Sequence, residues 1–209
     1  MMGIHLDAVD STNEEVKRRI RAGDWHGDGY LCAREQRAGR GRFDRSWQSP
    51  RDAGIYVSVV LAGLQVEQVD AELVSRAGAI GCATAVRALC AQSPLLKPIN
   101  DVYLRVAPDA APGKLAGVLV ESFGDGHGIH TIIVGVGINT KQLDRGLSPP
   151  TVVSCLEDVM QVTPELTDAL LSRTVDEVAV WCRKALDGDH AGLEKAWDSF
   201  ERWGDGTPS

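Results

Sequence analysis

The sequence predicts an α+β fold in which helices cover a mixed, largely antiparallel sheet and the C-terminal portion is helical. Two observations lead to this class. Short apolar runs rich in β-branched residues alternate with helical patterns over about the first 140 residues, and only helical patterns follow position 152. Strands mixed with helices and then helices alone are typical of α+β domains. The chain length of 209 residues is suited to one domain, or to one domain with a small helical appendage.

The first predicted helix begins at a cluster of short polar residues near the N-terminus. Ser11, Thr12 and Asn13 offer side chains that cap helices, two glutamates follow in the first turn, and Gly23 stands after the end. Acidic residues complement the positive end of the helix dipole, and glycine commonly follows the last helical turn. We therefore predict a helix from the polar cluster to Gly23.

The next part of the chain predicts two strands, a loop and a long helix. Residues 30–33 and 55–64 are apolar and rich in β-branched residues, which favours strands. Between them, residues 34–52 form a loop rich in glycine and arginine. Residues 66–92 carry apolar side chains at helical spacing, which predicts a long helix.

Three more strands and then helices are predicted after this helix. The strands cover residues 95–104, 115–123 and 129–138, and the first two are joined by the turn-rich stretch 106–113. From residue 152 to residue 203 the apolar spacing is helical throughout, including the segment VSCLEDVM. The helices of this last part complete the predicted fold.

The cysteine content and the N-terminus indicate where the protein works. The five cysteines are an odd number, widely spaced and without a C-x-x-C pair, which is typical of free thiols in a reducing compartment. The N-terminus lacks the pattern of a secretory signal, and no run reaches the ~20 apolar residues that span a bilayer. We expect a cytoplasmic protein without a membrane anchor.

The charge of the chain is acidic overall and basic in one place. A formal net charge of −7 argues against a general affinity for nucleic acid. Six arginines nevertheless lie between positions 34 and 51: Arg34, Arg37, Arg40, Arg42, Arg45 and Arg51. A local positive field within an acidic protein predicts a small anionic ligand at this loop.

Four separated segments resemble the catalytic domain of biotin–protein ligases, within the wider biotin and lipoate ligase group. They are DSTN at 10–13, REQRAGRGRFDRSWQSP at 34–50, KPIND at 97–101 with KLAGVLVE at 114–121, and GVGIN at 135–139. Each segment is weak alone, and their common order and spacing make the resemblance specific. It covers about the first 140 residues of the chain.

The resemblance implies a fold, a reaction and a set of partners. The fold would be a ligase core related to that of class II aminoacyl-tRNA synthetases. The reaction would be that of a biotin–[acetyl-CoA-carboxylase] ligase, in which ATP and Mg²⁺ activate biotin to biotinyl-AMP. The biotinyl group would then pass to a lysine of a biotin carboxyl carrier protein domain. Exposed strands could also pair two subunits in a homodimer.

The resemblance also assigns roles to individual residues. Lys114 and Arg42 would be catalytic, and Asp101 would contact Mg²⁺. The nucleotide would be bound by Arg42, Arg45, Asn100, Asp101 and Asn139. Biotin would be bound by Ser11, Thr12, Asn13, Gln36, Gly39, Arg40, Gly41, Trp47 and Gly117.

The residue types of these segments suit the formation of an acyl adenylate. A carboxylate must attack the α-phosphate of ATP, so two anions must be held together while their charge is neutralised. Glycines let the backbone approach a phosphate closely, and arginines donate two hydrogen bonds in one plane. The sequence GRGR at 39–42 supplies both.

Two positions depart from the family pattern. Asp44 stands where the third glycine of the loop is usual, and would place a carboxylate near the phosphates unless Arg42 or Arg45 pairs with it. The usual Lys-Trp-Pro-Asn-Asp appears as KPIND at 97–101, without the tryptophan. The shape of the acid pocket would therefore differ from that of relatives.

The domain organisation and two alternative functions complete the expectations. Residues 1–150 would form the ligase core and residues 151–209 a helical part of the same domain, with neither an N-terminal DNA-binding domain nor a C-terminal β-barrel domain. Since the barrel contributes to nucleotide binding in relatives, its absence would lower activity. A non-catalytic binding protein on the same scaffold, or a ligase for another acid such as lipoate, remains open.

Overall fold

One mixed sheet of eight strands organises the protein. The computed structural model describes residues 1–125, 128–142 and 152–202. In chain order the elements are β1 (Met2–Leu6), α1 (Thr12–Ala22), β2 (Gly29–Ala33), β3 (Gly54–Leu61), α2 (Ala71–Cys90), β4 (Leu95–Lys97), β5 (Asp101–Leu104), β6 (Gly113–Asp125), β7 (Gly128–Asn139), a 3₁₀ helix (Leu156–Asp158), α3 (Pro164–Leu186), α4 (His190–Trp197) and β8 (Glu201–Arg202).

The strand order is β1-β2-β3-β7-β6-β5-β4-β8. The two outer pairs, β1 with β2 and β4 with β8, are parallel, and all the pairs between them are antiparallel. The predicted class, a mixed and largely antiparallel sheet with helices, is confirmed.

Side chains alternate between the two faces of the sheet along each strand, and each face of the sheet packs in its own core. On β3, Val59 packs in a large core with α2 and α3, whereas its neighbour Val60 packs in a smaller core with Leu31 and Val16 of α1. Helix α1 therefore covers one face of the sheet, and the long helices α2 and α3 cover the other.

Helix α2 is the one helix of the described residues that is long and apolar enough to cross a membrane by length and composition alone, and 67% of that window is buried. It begins at Ala71 rather than at Val66 as predicted, because the Asp70 carboxylate accepts hydrogen bonds from the backbone N–H groups of Glu72 and Leu73. Val66 instead forms a β-bridge with Ile129. The buried faces of α2 make it a core helix.

The predicted single strand at 95–104 is wrong, since the structure divides it into β4 and β5. The two strands form a tight antiparallel hairpin in which Lys97 pairs with Asp101. Pro98 lies in the turn between them, and proline has no N–H with which to continue a ladder. The turn brings Asn100 and Asp101 to the end of β5.

The prediction of a helix from position 152 is also wrong for the first residues. Val152, Val153 and Ser154 are extended, with a β-bridge between Val153 and Lys114, and a short 3₁₀ helix follows. The backbone N–H of Lys114 donates to the Val152 carbonyl, and the Ser154 N–H donates to the Lys114 carbonyl. These bonds supply partners that the Lys114 backbone needs, which overrides the local helical pattern.

Helices α3 and α4 are confirmed, whereas β1 and β8 were not predicted. The boundary predicted at residue 150 lies outside the described residues. Val178 and Cys182 of α3 belong to the same core as β3 and β6. This shared core supports our proposal that the C-terminal helices belong to the same domain as the sheet.

Candidate active site

The predicted site residues converge on one cavity of about 490 Å³. Its walls come from the start of α1, the loop at 34–52, the turn before β5, strands β6 and β7, and Val153. Every predicted site residue lines the cavity except Gly39 and Asp101. Those that line it are Ser11, Thr12, Asn13, Gln36, Arg40, Gly41, Arg42, Arg45, Trp47, Asn100, Lys114, Gly117 and Asn139.

One end of the cavity is densely hydrogen-bonded and has no uncompensated charge, because Arg40, the cation that lines it, pairs with Glu14 and Glu121. The Gln36 side-chain carbonyl accepts from the Thr12 backbone N–H at 2.9 Å and from the Thr12 hydroxyl at 3.1 Å. The Gln36 amide nitrogen in turn donates to Ser49 Oγ at 2.8 Å. Gln36 therefore joins the first turn of α1 to the loop, and both of its side-chain ends are fixed.

Ser11 and Asn13 continue this polar wall. Ser11 has the extended backbone of a helix cap, but its side chain makes no capping hydrogen bond. The buried Asn13 side chain receives a hydrogen bond from Ser58 Oγ at 2.5 Å and donates to Glu121 Oε2 at 2.8 Å. The sequence prediction that these residues both start a helix and line a site is consistent with this geometry.

Gly39 supports the loop from outside the cavity. A Cβ atom at this position would collide with the Trp47 carbonyl and would lie 2.8 Å from Ser49 Oγ. The loop segments can pass each other only with a glycine here. Contact of Gly39 with biotin stays a prediction, and the structure shows a packing role for this residue.

Trp47 forms the middle of the cavity wall between two glycines of the sheet. A Cβ atom at Gly117 would lie 3.1 Å from its ring, and one at Gly137 would collide with its indole nitrogen. That nitrogen is buried and has no hydrogen-bond partner in the part of the chain that the structure describes. Because Gly117 and Gly137 have no side chains, strands β6 and β7 leave the space that Trp47 occupies.

The other end of the cavity is cationic. Lys114 Nζ lies 2.7 Å from Asp101 Oδ1 and 5.3 Å from the centre of the Trp47 ring. Arg42 Nη1 donates to Asn100 Oδ1 at 3.2 Å, and Asn100 Nδ2 donates to the Val118 carbonyl at 2.8 Å. Asp101 lies behind Lys114 and sets the position of its ammonium group.

The tip of the arginine loop is exposed. Phe43 and Asp44 both have a φ of 56°, and Phe43 is 78% exposed. The guanidinium carbons of Arg42 and Arg45 lie 5.0 and 5.8 Å from the centre of the Phe43 ring. Within residues 1–125, 128–142 and 152–202, Asp44 forms no ion pair, so neither arginine neutralises it.

Arg40 and Asn139 are engaged by the protein itself. Arg40 forms ion pairs with Glu14 and, at 3.4 Å, with Glu121. Asn139 Nδ2 donates to the backbone carbonyls of Lys114 at 3.1 Å and Ser154 at 3.3 Å. Asn139 thereby holds the backbone of Lys114, a role that the motif GVGIN did not predict.

Several lining residues were missed, among them Ser46, Leu119 and Val153. Leu119 lies on β6 within the matched segment KLAGVLVE and could have been found from strand register. Val153 had no such signal, because its segment carries a helical pattern.

A metal ion has few protein ligands here. The described residues contain no group of three or more His, Cys, Asp or Glu side chains placed to hold a metal. Asp101 is the carboxylate beside the cationic end, and Mg²⁺ commonly takes one or two carboxylates together with phosphate oxygens. A magnesium ion would therefore fit only when phosphate oxygens provide most of its ligands.

Comparison with known proteins places these features in a family. The model of the biotin/lipoate A/B protein ligase family matches residues 6–139. The biotin–[acetyl-CoA-carboxylase] ligase of Paracoccus denitrificans is 33% identical over 156 residues, which cover 71% of this chain and 61% of that protein. The bifunctional ligase/repressor BirA of Escherichia coli is 36% identical over 136 residues, which cover 64% of this chain and 39% of that protein. The chain thus spans about two fifths to three fifths of the length of these relatives.

Solved structures share the fold. The biotin protein ligase of Aquifex aeolicus in complex with biotin and ATP superposes with a TM-score of 0.73 at 24% identity, over 96% of this chain and 78% of that one. The biotin protein ligase of Leishmania major in complex with biotinyl-5-AMP gives a TM-score of 0.66 at 22% identity, over 96% of this chain and 81% of that one. The chain belongs to the biotin/lipoate A/B protein ligase family.

Proposed function

We propose that this protein is a biotin–protein ligase, which activates biotin with ATP and transfers it to a lysine of a biotin carboxyl carrier domain. The observation that carries the proposal is the division of one cavity into a neutral polar end and a cationic end that contains Lys114, with Trp47 between the two ends. The names of the relatives, biotin–[acetyl-CoA-carboxylase] ligase and biotin protein ligase, support biotin as the acid.

The neutral end suits the ureido ring of biotin. A buried polar ring binds well only when each of its donors and acceptors meets a partner. Ser11, Thr12, Asn13 and Gln36 supply hydroxyl, amide and backbone groups within a small part of the cavity wall. Trp47 then offers an apolar surface for the rest of the ligand.

The cationic end suits two anions that must react with each other. In the first step a biotin carboxylate oxygen forms a bond to the α-phosphorus of ATP, the bond to the bridging oxygen breaks, and pyrophosphate leaves. Lys114, Arg42 and Arg45 line this end, and their charges would offset the repulsion between the carboxylate and the phosphate. Asp101 and Asn100 hold Lys114 and Arg42 in place before ATP arrives.

A magnesium ion bound with ATP would supply additional positive charge on the phosphate oxygens. Asp101 is the carboxylate that would hold it, although Asp101 lies behind Lys114 and does not itself line the cavity. Because Asp101 also pairs with Lys114, the carboxylate would be shared between the ammonium group and the metal.

In the second step the amine of a carrier lysine attacks the carbonyl carbon of biotinyl-AMP. The bond from that carbon to the phosphate oxygen breaks, AMP leaves, the amine loses a proton and an amide remains. The mixed anhydride must be kept from water, which would hydrolyse it. The loop at 34–52 borders the cavity and is the segment that would shield the intermediate. Use of ATP and the free, buried cysteines are in keeping with a cytoplasmic location.

The decisive test is acid-dependent exchange of labelled pyrophosphate into ATP by the purified chain, with biotin, lipoate and octanoate compared in parallel. We expect exchange with biotin alone. Exchange with another acid only would keep the mechanism and change the substrate. Biotin binding without exchange would instead identify a binding protein on a ligase scaffold, a candidate that the unneutralised Asp44 at the loop tip favours.

A further inference from the structure

Two carboxylates and two cations form a cluster behind the neutral end of the cavity. Lys17 Nζ lies 2.9 Å from Glu14 Oε1 and 2.6 Å from Glu121 Oε1. Arg40 pairs with the same two carboxylates. The Glu121 side chain is 17% exposed, so these pairs are shielded more than ordinary surface pairs. The cluster of Glu14, Lys17, Arg40 and Glu121 joins α1, the loop and β6.

Glu121 is the member of this cluster that also reaches the cavity wall indirectly. Its second oxygen, Oε2, accepts a hydrogen bond from Asn13 Nδ2 at 2.8 Å. Glu121 itself is not among the residues that line the cavity, whereas Asn13 and Arg40 are. One carboxylate therefore holds two lining side chains from behind.

The contacts of Asn13 fix which way its amide faces. An ionised carboxylate only accepts hydrogen bonds, so the side of Asn13 facing Glu121 must be its NH₂ group. Its oxygen accepts from Ser58 Oγ and keeps one further lone pair. The second N–H of Asn13 points toward the Leu119 carbonyl, at 3.5 Å. The hydrogen-bonding capacity that remains for a ligand is that of an acceptor.

We propose that Glu121 is a positioning residue for the acid-binding end of the site, which orients Asn13 as an acceptor for a ligand N–H group and anchors Arg40 of the loop. The inference rests on the proposed function for the identity of the acid. It assigns no chemical step to Glu121, which acts through the two lining residues.

Calorimetric titration of biotin into purified variants tests the proposal. Glu121→Ala should weaken biotin binding about tenfold, the effect of losing one well-made polar contact. Asn13→Ala should weaken biotin binding by a similar factor. In the Asn13→Ala background, Glu121→Ala should weaken biotin binding by a clearly smaller factor than it does in the wild-type background. The loss that remains there would come from Arg40. If the double variant weakens biotin binding by the product of the two single-variant factors, the positioning role is wrong. In exchange kinetics the KM for biotin should rise while kcat and the KM for ATP stay within about twofold.

Glu15→Gln is the matched control for the loss of a carboxylate with two cationic partners. Glu15 lies on the same helix α1, is 19% exposed and pairs with Arg18 and Arg19 at 2.8 Å, but no described contact joins it to Asn13 or Arg40. Biotin binding by this variant should match that of the wild type. An equal loss in Glu15→Gln would mean that general charge, rather than the position of Glu121, controls binding.

A measurement without ligand separates this proposal from the proposed function. The side-chain NH₂ signals of Asn13, assigned by their loss in Asn13→Ala, should shift in both Glu121→Gln and Glu121→Ala but not in Glu15→Gln. Unshifted signals in the Glu121 variants would refute the positioning role even if biotin binds. If the wild type binds no biotin, the proposed function fails, and the NMR result still decides the role of Glu121. Glu121→Gln has almost the same shape as the wild type and carries the test if Glu121→Ala does not fold.

Discussion

At the scale of single residues, the chemistry proposed for this protein depends most on the ammonium group of Lys114. Asp101 holds it at 2.7 Å, and Asn139 and Ser154 hold its backbone. A point charge that is fixed from two sides is organised before the reaction, which is the condition under which a charge stabilises a transition state best.

Substitution of Lys114 tests that role. Lys114→Ala should slow formation of biotinyl-AMP by about 100-fold or more, the usual effect of removing one donor to a developing charge. Biotin affinity should change far less, because the neutral end of the cavity is intact. Single-turnover adenylation and calorimetric biotin binding measure the two effects, with the exposed Lys141, which does not line the cavity, changed to alanine as the control. Equal losses of rate and affinity would mean that Lys114 is structural.

Asp44 gives a prediction in the opposite direction. Its φ of 56° is unfavourable for a side chain with a Cβ atom by about 1 kcal/mol, and glycine avoids that cost. Asp44→Gly removes both this strain and a negative charge near two arginines, so the KM for ATP should fall about fivefold. Asp44→Ala removes only the charge and should give a smaller decrease. Steady-state exchange at varied ATP compares them, and an unchanged or higher KM in the glycine variant would contradict the interpretation.

The sequence identified 13 of the 21 lining residues but not all of their roles. Lys114, Arg42 and Gln36 belong to segments whose residue order alone carries the resemblance. The assignment of Asn139 to the nucleotide stays a prediction, and its amide nitrogen also donates to the backbone carbonyls of Lys114 and Ser154, a contact that the sequence did not predict. That contact joins positions 15 and 25 residues apart from it, and no local pattern encodes such pairings.

At the scale of elements, helices α2 and α3 pack closely against each other. Gly81 of α2 faces the backbone of α3 so closely that a Cβ atom there would lie 2.7 Å from the backbone nitrogen of Val178. Backbone atoms cannot move aside as the end of a flexible side chain can. The spacing of these helices is therefore set by a residue that has no side chain.

Gly81→Ala should lower the free energy of unfolding by about 1–3 kcal/mol, as expected for overpacking a well-packed core. In an unhindered helix the same change would be stabilising, so the sign itself is informative. Urea unfolding followed by circular dichroism measures it. Thr84→Ala on the same helix, at a half-buried position, should stay within about 1 kcal/mol. Stabilisation by Gly81→Ala would show that the helices can separate without cost.

Elements with strong periodicity were predicted well, and short ones were not. Helices α1 and α3 and strands β3, β6 and β7 follow from capping residues, spacing and β-branched runs. Strand β8 has only two residues, Glu201 and Arg202, and exists because β4 offers a free edge. Residues 152–154 are also extended despite their helical spacing, because they form hydrogen bonds with the backbone N–H and carbonyl of Lys114. In both cases, contacts with distant parts of the chain determine the backbone conformation rather than the local sequence.

At the scale of the whole molecule, the reactivity of the cysteine thiols shows whether the protein is folded. All five are free and buried. Burial raises the pKa of Cys32 and Cys155 to about 11 and that of Cys82 to about 12, and it also raises the pKa values of Cys90 and Cys182. Since the thiolate is the reactive form, native thiols are protonated and shielded at neutral pH.

A thiol reagent should therefore react slowly with the native protein and quickly with the unfolded one. With Ellman's reagent at about pH 8, we expect little release of chromophore over minutes in buffer and release for five thiols in concentrated urea. Saturating biotin should slow the native reaction further if it stabilises the fold by binding. Rapid modification of one thiol in the native state would show that its part of the core opens easily.

The contacts that residues 152–154 and 201–202 make with the sheet have a consequence for folding during synthesis on the ribosome. Residues 152–154 brace the strand that carries Lys114, and residues 201–202 extend the far edge of the sheet. A nascent chain that has emerged only as far as GVGIN already displays every predicted site residue, yet the strand of its key lysine still lacks its brace. The brace therefore forms only after residues 152–154 have emerged, and a product truncated before them would display the segments shared with the ligase family without a braced Lys114.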